Sequence, residues 1–269
     1  MAKSFFGAAS DVGIVRPENQ DAVYVGQNDA GNLIGIVCDG LGGYKGGAIA
    51  SNIACKLFTD AFNRTDFTKK TNKFIEEWFA QNLRNSRQAI KLYIEENNEE
   101  FKANNDGASL AQMATTIVLS IIANKKVYTF WVGDSRAYLI NNKHESWQIT
   151  LDHNLYNALK SINATTETFK RHEHELLALT NIISKDVQGP ESYGVSINEP
   201  KRREKYLLLC SDGFYNFVPS ETFYKLISEG KDDLNDASNH LLNVAMKNMS
   251  NDNLTVVLID LSEALHGSK

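Results

Sequence analysis

The chain has 269 residues, of which 42% are hydrophobic and 23% are charged, and its net charge is −5. This length and apolar content allow a substantial core, and only four prolines and no linker-like Gly/Ser tract favour a single domain. The acidic balance, with no basic block longer than Lys201-Arg202-Arg203, argues against a nucleic-acid partner.

Short runs rich in β-branched and aromatic residues predict seven strands. They cover residues 22–25, 33–38, 115–123, 127–132, 137–140, 206–210 and 254–259. The connection between the third and fourth strands is short enough for a tight hairpin, as is the one after residue 140. We therefore expect antiparallel sheets.

Apolar residues at helical spacing predict two long helices after the second strand and two more near the C-terminus. Their apolar positions are Ile49, Ile53, Leu57 and Phe58, then Ile75, Trp78, Phe79, Leu83, Ile90 and Ile94, then Phe223, Leu226 and Ile227, then Ala237, Leu241, Leu242 and Ala245. Together with the strands, this order predicts an α+β layered domain with helices packed outside the sheets.

The stretch 152–205 is polar and has few strand signals, which is typical of a surface insertion or flap. Within it, His172 and His174 form a His-x-His pair that is able to bind a metal ion, although such short pairs are usually solvated surface.

The sequence also bears on the compartment. The longest apolar stretch, Ile117–Ala123, is too short to span a bilayer, and the N-terminus lacks the apolar core of a secretory signal. Cys38 and Cys210 lie in apolar runs, so we expect buried free thiols and a reducing compartment. We expect a cytoplasmic protein with no membrane span.

Four acidic residues lie at the ends of predicted strands, beside Gly or Asn: Asp39, Asp134, Asp212 and Asp252. One such residue marks only a turn, but four suggest that carboxylates gather at one place. Each close pair of carboxylates repels by roughly 4 kcal/mol at an effective dielectric near 20, so the cluster needs cations or protons. Oxygen ligands favour Mg²⁺ or Mn²⁺ over zinc.

The glycines around Asp39 let the backbone approach an ion, so the Gly40 carbonyl is a candidate ligand. A phosphate-binding Walker loop is the alternative, but Lys45 is followed by glycine rather than Ser or Thr. Near the N-terminus, Arg16 and Asp21 add a guanidinium that can clamp two phosphate oxygens and a further acid. A surface arginine in a turn is the alternative interpretation of Arg16.

Six motifs in order make the chain resemble the metal-dependent type 2C protein phosphatases, also called PPM, in their bacterial stand-alone form. They are Arg16-x-x-Asn19-Gln20-Asp21, Asp39-Gly40-x-Gly42-Gly43, Thr115-Thr116, Gly133-Asp134-Ser135-Arg136, Ser211-Asp212-Gly213 and Asp252-Asn253-x-Thr255. The resemblance covers residues 5 to 260. It implies a four-layer sandwich of two central antiparallel β-sheets flanked by α-helices. Residues 1–262 would form one catalytic domain with a flap-like insertion around 152–205, followed by a tail at 263–269.

The resemblance also implies the roles of the acids. Asp39 would bridge two Mn²⁺ or Mg²⁺ ions. Asp212 and Asp252 would hold the first ion and the Gly40 carbonyl the second, while Asp134 would help to hold a third, weaker one.

The implied reaction hydrolyses phosphoserine or phosphothreonine in proteins by in-line attack of a water bridging two metals, without a phospho-enzyme. Arg16 would bind the phosphate, and Asp21 would hydrogen-bond metal-bound water. The substrates would be phosphoproteins produced by a partner Ser/Thr kinase, and we expect a monomer.

Two positions depart from the pattern of many eukaryotic members. Gln20 replaces a glutamate, which predicts a weaker second metal, and Leu41 replaces a histidine proposed as the general acid. His153 is one candidate substitute for that acid, and a metal-bound water is another. These departures keep open the alternative of a pseudophosphatase, a metal- or phosphoprotein-binding regulatory module. A two-metal nuclease is a third interpretation, which the acidic balance disfavours.

Overall fold

The computed structural model describes residues 4–42, 45–186, 192–230 and 233–266, with the backbone alone at residue 266. The strands are β1 Phe6–Asp11, β2 Ala22–Gln27, β3 Leu33–Cys38, β4 Gly40–Leu41, β5 Ala114–Thr115, β6 Ile117–Ala123, β7 Lys126–Val132, β8 Arg136–Asn141, β9 Ser146–Gln148, β10 Ile183–Ser184, β11 Gly194–Asn198, β12 Glu204–Cys210 and β13 Leu254–Asp260. The helices are α1 Gly46–Asn63, α2 Asn72–Asn104, α3 Leu155–Ser161, α4 Thr166–Arg171, α5 Asp212–Tyr215, α6 Phe223–Glu229, α7 Leu234–Lys247 and α8 Leu261–His266.

Two five-stranded antiparallel sheets lie at the centre. One has the order β1-β13-β12-β8-β9 and the other β11-β7-β6-β3-β2, and a small sheet β10-β5-β4 lies beside them. The turn between β6 and β7 has two residues, Asn124 and Lys125, both with positive φ, as a tight two-residue hairpin requires. This hairpin confirms the connection predicted from the sequence.

Strand β3 shows how the layers are held together, because successive side chains of a strand point to opposite faces. Ile34 and Ile36 belong to the apolar cluster shared with α1 and α2. Leu33 and Val37 instead belong to the cluster between the two sheets. A Cβ on Gly35 would lie 2.9 Å from Val257 Cγ1 of the opposite sheet, so a glycine lets the sheets approach closely.

The other sheet repeats this alternation. In β12, Leu207 and Leu209 face the space between the sheets, whereas Leu208 faces a third cluster that includes Phe223 of α6 and Leu241 of α7. The order of layers is therefore helices, sheet, sheet, helices. This confirms the α+β sandwich of two antiparallel sheets flanked by helices.

Two regions extend beyond what the sequence predicted. Strand β1 pairs along its whole length with β13 and completes the first sheet. The polar stretch 152–205 contains α3, α4, β10 and β11, and β11 pairs with β7 at the edge of the second sheet. Residues 187–191 of this stretch lie outside the described residues, as do residues 267–269 of the predicted tail. The domain limits stay a prediction.

The three cysteines are free and buried, which confirms the prediction for Cys38 and Cys210. Among the described residues, no helix has the length and apolar character needed to cross a bilayer.

Replacing Phe79 with alanine tests the outer core. Its ring stacks on Phe58 of α1 at 5.2 Å and on Phe130 of β7 at 4.6 Å, between ring centroids. We expect Phe79→Ala to lower the free energy of unfolding by about 3–5 kcal/mol, measured by denaturant titration. Phe74→Ala, on the same helix but 36% exposed, is the control and should cost less than about 1 kcal/mol. Equal losses would contradict this account.

Candidate active site

The acids of the motifs lie where strands of both sheets end. Asp39 separates β3 from β4, and Asp134 lies in the turn where the chain passes from β7 to β8, that is, from one sheet to the other. Asp212 is the first residue of α5, separated from the end of β12 by Ser211, and Asp252 precedes β13. Asp21 precedes β2. The sheet sandwich therefore brings together residues that are up to 231 positions apart, from 21 to 252.

A cleft of about 460 Å³ opens at this end of the sandwich. Of the predicted site residues, Asp39, Gly40, Asp212, Asp252 and Arg16 line it, whereas Asp21 and Asp134 are not among its described lining residues. Other lining residues are Pro17, Glu18, Gln20, Leu41, Gly42, Lys45, Asn105 and Asn253. Gly43 of the motif lies outside the described residues.

Asp39 is the electrostatic centre of the cluster. Burial raises the pKa of its carboxyl well above the ordinary value, and the charges of Asp21, Asp212, Asp134 and Asp252 raise it further. All four other acids thus lie close enough to act on Asp39.

The pKa values of the neighbouring acids are also raised. Burial, with a contribution from Asp212, raises the pKa of Asp134 to about 7. Burial and the nearby charge of Asp252 also raise the pKa of Asp212. A cluster with these properties binds protons or cations readily.

Asp21 lies deepest in the site. Burial raises its pKa to about 7, although the Ser211 hydroxyl donates a 2.8 Å hydrogen bond to its Oδ2. Its Oδ1 is buried and has no hydrogen-bond partner within the described part of the chain. An acceptor oxygen in this position requires a donor such as an ordered water.

The loop that carries Asp39 is fixed by its backbone. The Thr116 amide donates to the Asp39 carbonyl at 2.8 Å, and the Thr115 hydroxyl donates to the same oxygen at 2.9 Å. In return, the Asp39 amide donates to the Thr116 hydroxyl at 3.1 Å. The Thr115-Thr116 motif therefore holds Asp39 in place, a role that the sequence did not suggest.

Gly40 lies where two segments meet. A Cβ at this position would lie 2.3 Å from the Gly47 carbonyl oxygen of α1 and 2.5 Å from the Gln20 carbonyl oxygen. Only glycine fits this approach. The Gln20 side chain is equally close to α1, since a Cβ on Gly47 would lie 2.5 Å from Gln20 Oε1.

Arg16 reaches into the cleft from the loop between β1 and β2. Its Nη2 donates to Asp252 Oδ2 at 2.8 Å, while 52% of its side chain stays exposed. The Arg16 guanidinium therefore lies beside Asp252, a predicted metal ligand, and remains accessible from the solvent.

The donor set suits hard divalent cations, since it consists of carboxylates and a backbone carbonyl. In the described ranges, no three His, Cys, Asp or Glu side chains are already arranged around a common metal position. One oxygen of Asp252 is paired with Arg16. The raised carboxyl pKa values and the unpartnered Asp21 oxygen nevertheless fit a site for cations.

The histidines lie elsewhere. His153 is not among the described residues that line the cleft, and its Nδ1 accepts a hydrogen bond from the Gly133 amide at 3.2 Å. Burial lowers its pKa, which favours the neutral ring. His172 and His174 lie on the surface beside Glu175 and Glu173.

The comparisons with known proteins agree with the motifs. The protein phosphatase 2C family model matches residues 16–254. The chain is similar to a putative protein phosphatase of Mycoplasma pneumoniae, with 42% identity over 97% of each chain. It is also similar to the serine/threonine phosphatase stp of Listeria monocytogenes, with 32% identity over 93% of each. The crystal structure of the serine/threonine phosphatase Stp1 from Staphylococcus aureus matches with a TM-score of 0.77 and 26% identity, over 95% of this chain and 94% of that one.

These matches confirm the family that the six motifs indicated. The family model covers most of the chain, and both relatives exceed 30% identity over nearly its whole length. The chain therefore belongs to the protein phosphatase 2C family.

Proposed function

We propose that this chain hydrolyses phosphoserine and phosphothreonine in proteins by in-line attack of water on phosphorus, without a phospho-enzyme. Membership of the family makes it a metal-dependent protein serine/threonine phosphatase. The observation that carries the proposal is Asp39, a half-buried carboxyl that experiences the charge of four other acids and lines the same cleft as Arg16. The substrate must come from a protein kinase that phosphorylates serine or threonine, because that reaction makes these esters. We further propose that the chain acts as a monomer.

We propose that Asp39 contributes to two cation sites, for Mn²⁺ or Mg²⁺. Asp212 and Asp252 would complete the first site, the Gly40 carbonyl would serve the second, and Asp134 would serve a third, weaker site. When bound, a pair of such cations lowers the pKa of a shared water and neutralises charge on the phosphoryl oxygens. Asp21, with a buried oxygen that has no hydrogen-bond partner among the described residues, would orient water there.

Arg16 would bind the phosphate. Its guanidinium lies 2.8 Å from Asp252, so it is already at the first cation site, and its exposure leaves donors for a substrate. A guanidinium donates two parallel hydrogen bonds to a phosphoryl group and compensates charge as it develops.

The leaving serine or threonine oxygen needs a proton that Leu41 has no group to supply. His153 is a poor source, since it lies outside the lining of the cleft and burial favours its neutral form. We therefore propose that water in the cleft gives this proton.

The pH dependence of stability tests the carboxyl cluster. The pKa of Asp21 is about 7 in the folded state and 3.8 ordinarily, so the folded state binds this proton more tightly than the unfolded state. Stability without metal should therefore fall as the pH rises from about 4 to 7. In EDTA, Asp21→Asn should be the more stable protein at pH 8, and its advantage should shrink by about 2–3 kcal/mol at pH 5. Thermal or chemical unfolding measures this, with exposed Asp29→Asn as control. An advantage that does not vary with pH would contradict the raised pKa.

Asp39→Asn tests the metal site. Loss of the Asp39 carboxylate should lower turnover of a phosphothreonine peptide in Mn²⁺ by at least about a thousandfold, equivalent to about 4 kcal/mol of transition-state stabilisation. Asp29→Asn serves as the matched control. Unchanged turnover in Asp39→Asn would sink the assignment. A wild-type protein that binds Mn²⁺ but hydrolyses neither phosphoserine, phosphothreonine nor phosphotyrosine peptides would instead be the regulatory module, and cleavage of DNA would indicate a nuclease.

Arg16→Ala tests the phosphate site. We expect kcat/KM for the phosphopeptide to fall about a hundredfold, because a charged donor to the phosphoryl oxygens is lost. Arg16→Lys should lose less, since it keeps the charge but not the planar fork. The surface variant Arg171→Ala is the control. If Arg16→Ala changes only the Mn²⁺ concentration needed for activity, then Arg16 acts through Asp252 and not on phosphate.

A further inference from the structure

Asn253 connects the loop that carries Arg16 to the acids of the cleft. The side chain is 6% exposed and makes three hydrogen bonds, all to backbone groups of this loop. Its Oδ1 accepts from the Gln20 amide at 2.9 Å. Its Nδ2 donates to the Val12 carbonyl at 2.9 Å and to the Glu18 carbonyl at 3.0 Å.

The other polar contacts of the loop lie towards its ends, where the Gly13 amide donates to Asp11 Oδ1 at 2.8 Å and the Ser51 hydroxyl donates to the Gln20 carbonyl at 2.6 Å. Residues 12–21 contain neither a strand nor a helix. Ile14 is 51% exposed and Val15 63% exposed, so the residues beside Arg16 add little packing. The contacts of Asn253 lie on both sides of Arg16 in the chain, at Val12 and at Glu18 and Gln20. They fix the two ends of the segment from which the guanidinium extends.

Asn253 is itself held against the predicted ligands. Its backbone amide donates to Asp252 Oδ1 at 2.8 Å. A Cβ on Gly213 would lie 2.0 Å from the Asn253 carbonyl oxygen, so its backbone packs directly on the residue after Asp212. Asn253 therefore contacts the Arg16 loop through its side chain and the segments of Asp212 and Asp252 through its backbone, so it links the loop to these acids.

From these contacts we infer that Asn253 is a positioning residue, which holds the Arg16 guanidinium at the phosphate position of the cleft. The inference rests on the proposed role of Arg16. An asparagine suits this position because its amide offers one acceptor and two donors in a neutral group. Alanine offers neither, and aspartate keeps the acceptor but loses both donors.

A double-mutant cycle tests the inference, with wild type, Asn253→Ala, Arg16→Ala and the double variant assayed on a phosphothreonine peptide in Mn²⁺. We expect Asn253→Ala to raise KM about tenfold when Arg16 is present and less than about twofold in the Arg16→Ala background, because the two residues act as one unit. Asn248→Ala, which removes a similar 2.8 Å bond to the Phe217 carbonyl away from the cleft, should leave the kinetics unchanged.

A purely structural role would give a different result. Asn253→Ala would then lower activity by the same factor in both backgrounds, and this outcome overturns the inference while leaving the role of Arg16 intact. If Arg16→Ala itself leaves kcat/KM unchanged, the proposed phosphate site fails first, and the inference fails with it.

A second variant and a second measurement guard against misfolding. Asn253→Asp keeps the acceptor for the Gln20 amide and should show the same dependence on Arg16, since it loses both donated bonds. Hydrogen–deuterium exchange of the peptide covering residues 12–21 should be faster in both Asn253 variants than in wild type and Asn248→Ala. Unchanged exchange there would show that Asn253 does not hold the loop, and would overturn the inference.

Discussion

The mutual repulsion of buried carboxylates at one end of the sandwich is the constraint on which the rest of the structure depends. Asp39 is half-buried and experiences the charge of four other acids. Each close pair costs several kcal/mol unless a proton or a cation compensates it. The chain tolerates this because the acids are attached to strands from both sheets, and the apolar clusters on both faces of each sheet fix those strands. The repulsion at the cleft destabilises the folded state, and the apolar packing of the core offsets it.

Close backbone contacts extend this rigidity into the cleft. The backbone at Gly40 contacts α1 and that at Gly213 contacts Asn253, at distances that leave no space for a side chain. Hydroxyls add directional contacts, since Ser211 Oγ donates to Asp21 and accepts from the Thr255 amide at 3.0 Å. The acids are thus held on a scaffold that relaxes little when their charges repel. A rigid scaffold of this kind is what the proposed cation sites require.

The sequence predicted the parts of this arrangement that depend on a few consecutive residues. Strand β3 is apolar on both faces, and Asp39 beside glycine interrupts it, so both the strand and the acid were recognised. Strand β1 was missed because its Gly-Ala-Ala-Ser segment has weak strand propensity, and its pairing with β13 is a contact between the two ends of the chain. The Arg16–Asp252 ion pair and the hydrogen bonds of Asn253 were also missed, because they too join residues from the two ends of the chain. Adjacency to Asp252 was the available signal for Asn253.

The cleft also has an electrostatic asymmetry that bears on the order of binding. Its acids are buried and fixed, whereas Arg16 is exposed and already paired with Asp252. A phosphate dianion that approached the ionised acids alone would meet repulsion from Asp39 and Asp212, and Arg16, already paired with Asp252, offsets this repulsion only in part. If Asp252 holds a cation as proposed, the bound charge would reverse that field and would free the Arg16 donors for a phosphoryl group. The proposed roles therefore predict that cations bind before the phosphoprotein, and that the ion pair of Arg16 with Asp252 keeps the guanidinium close to its proposed site until they do.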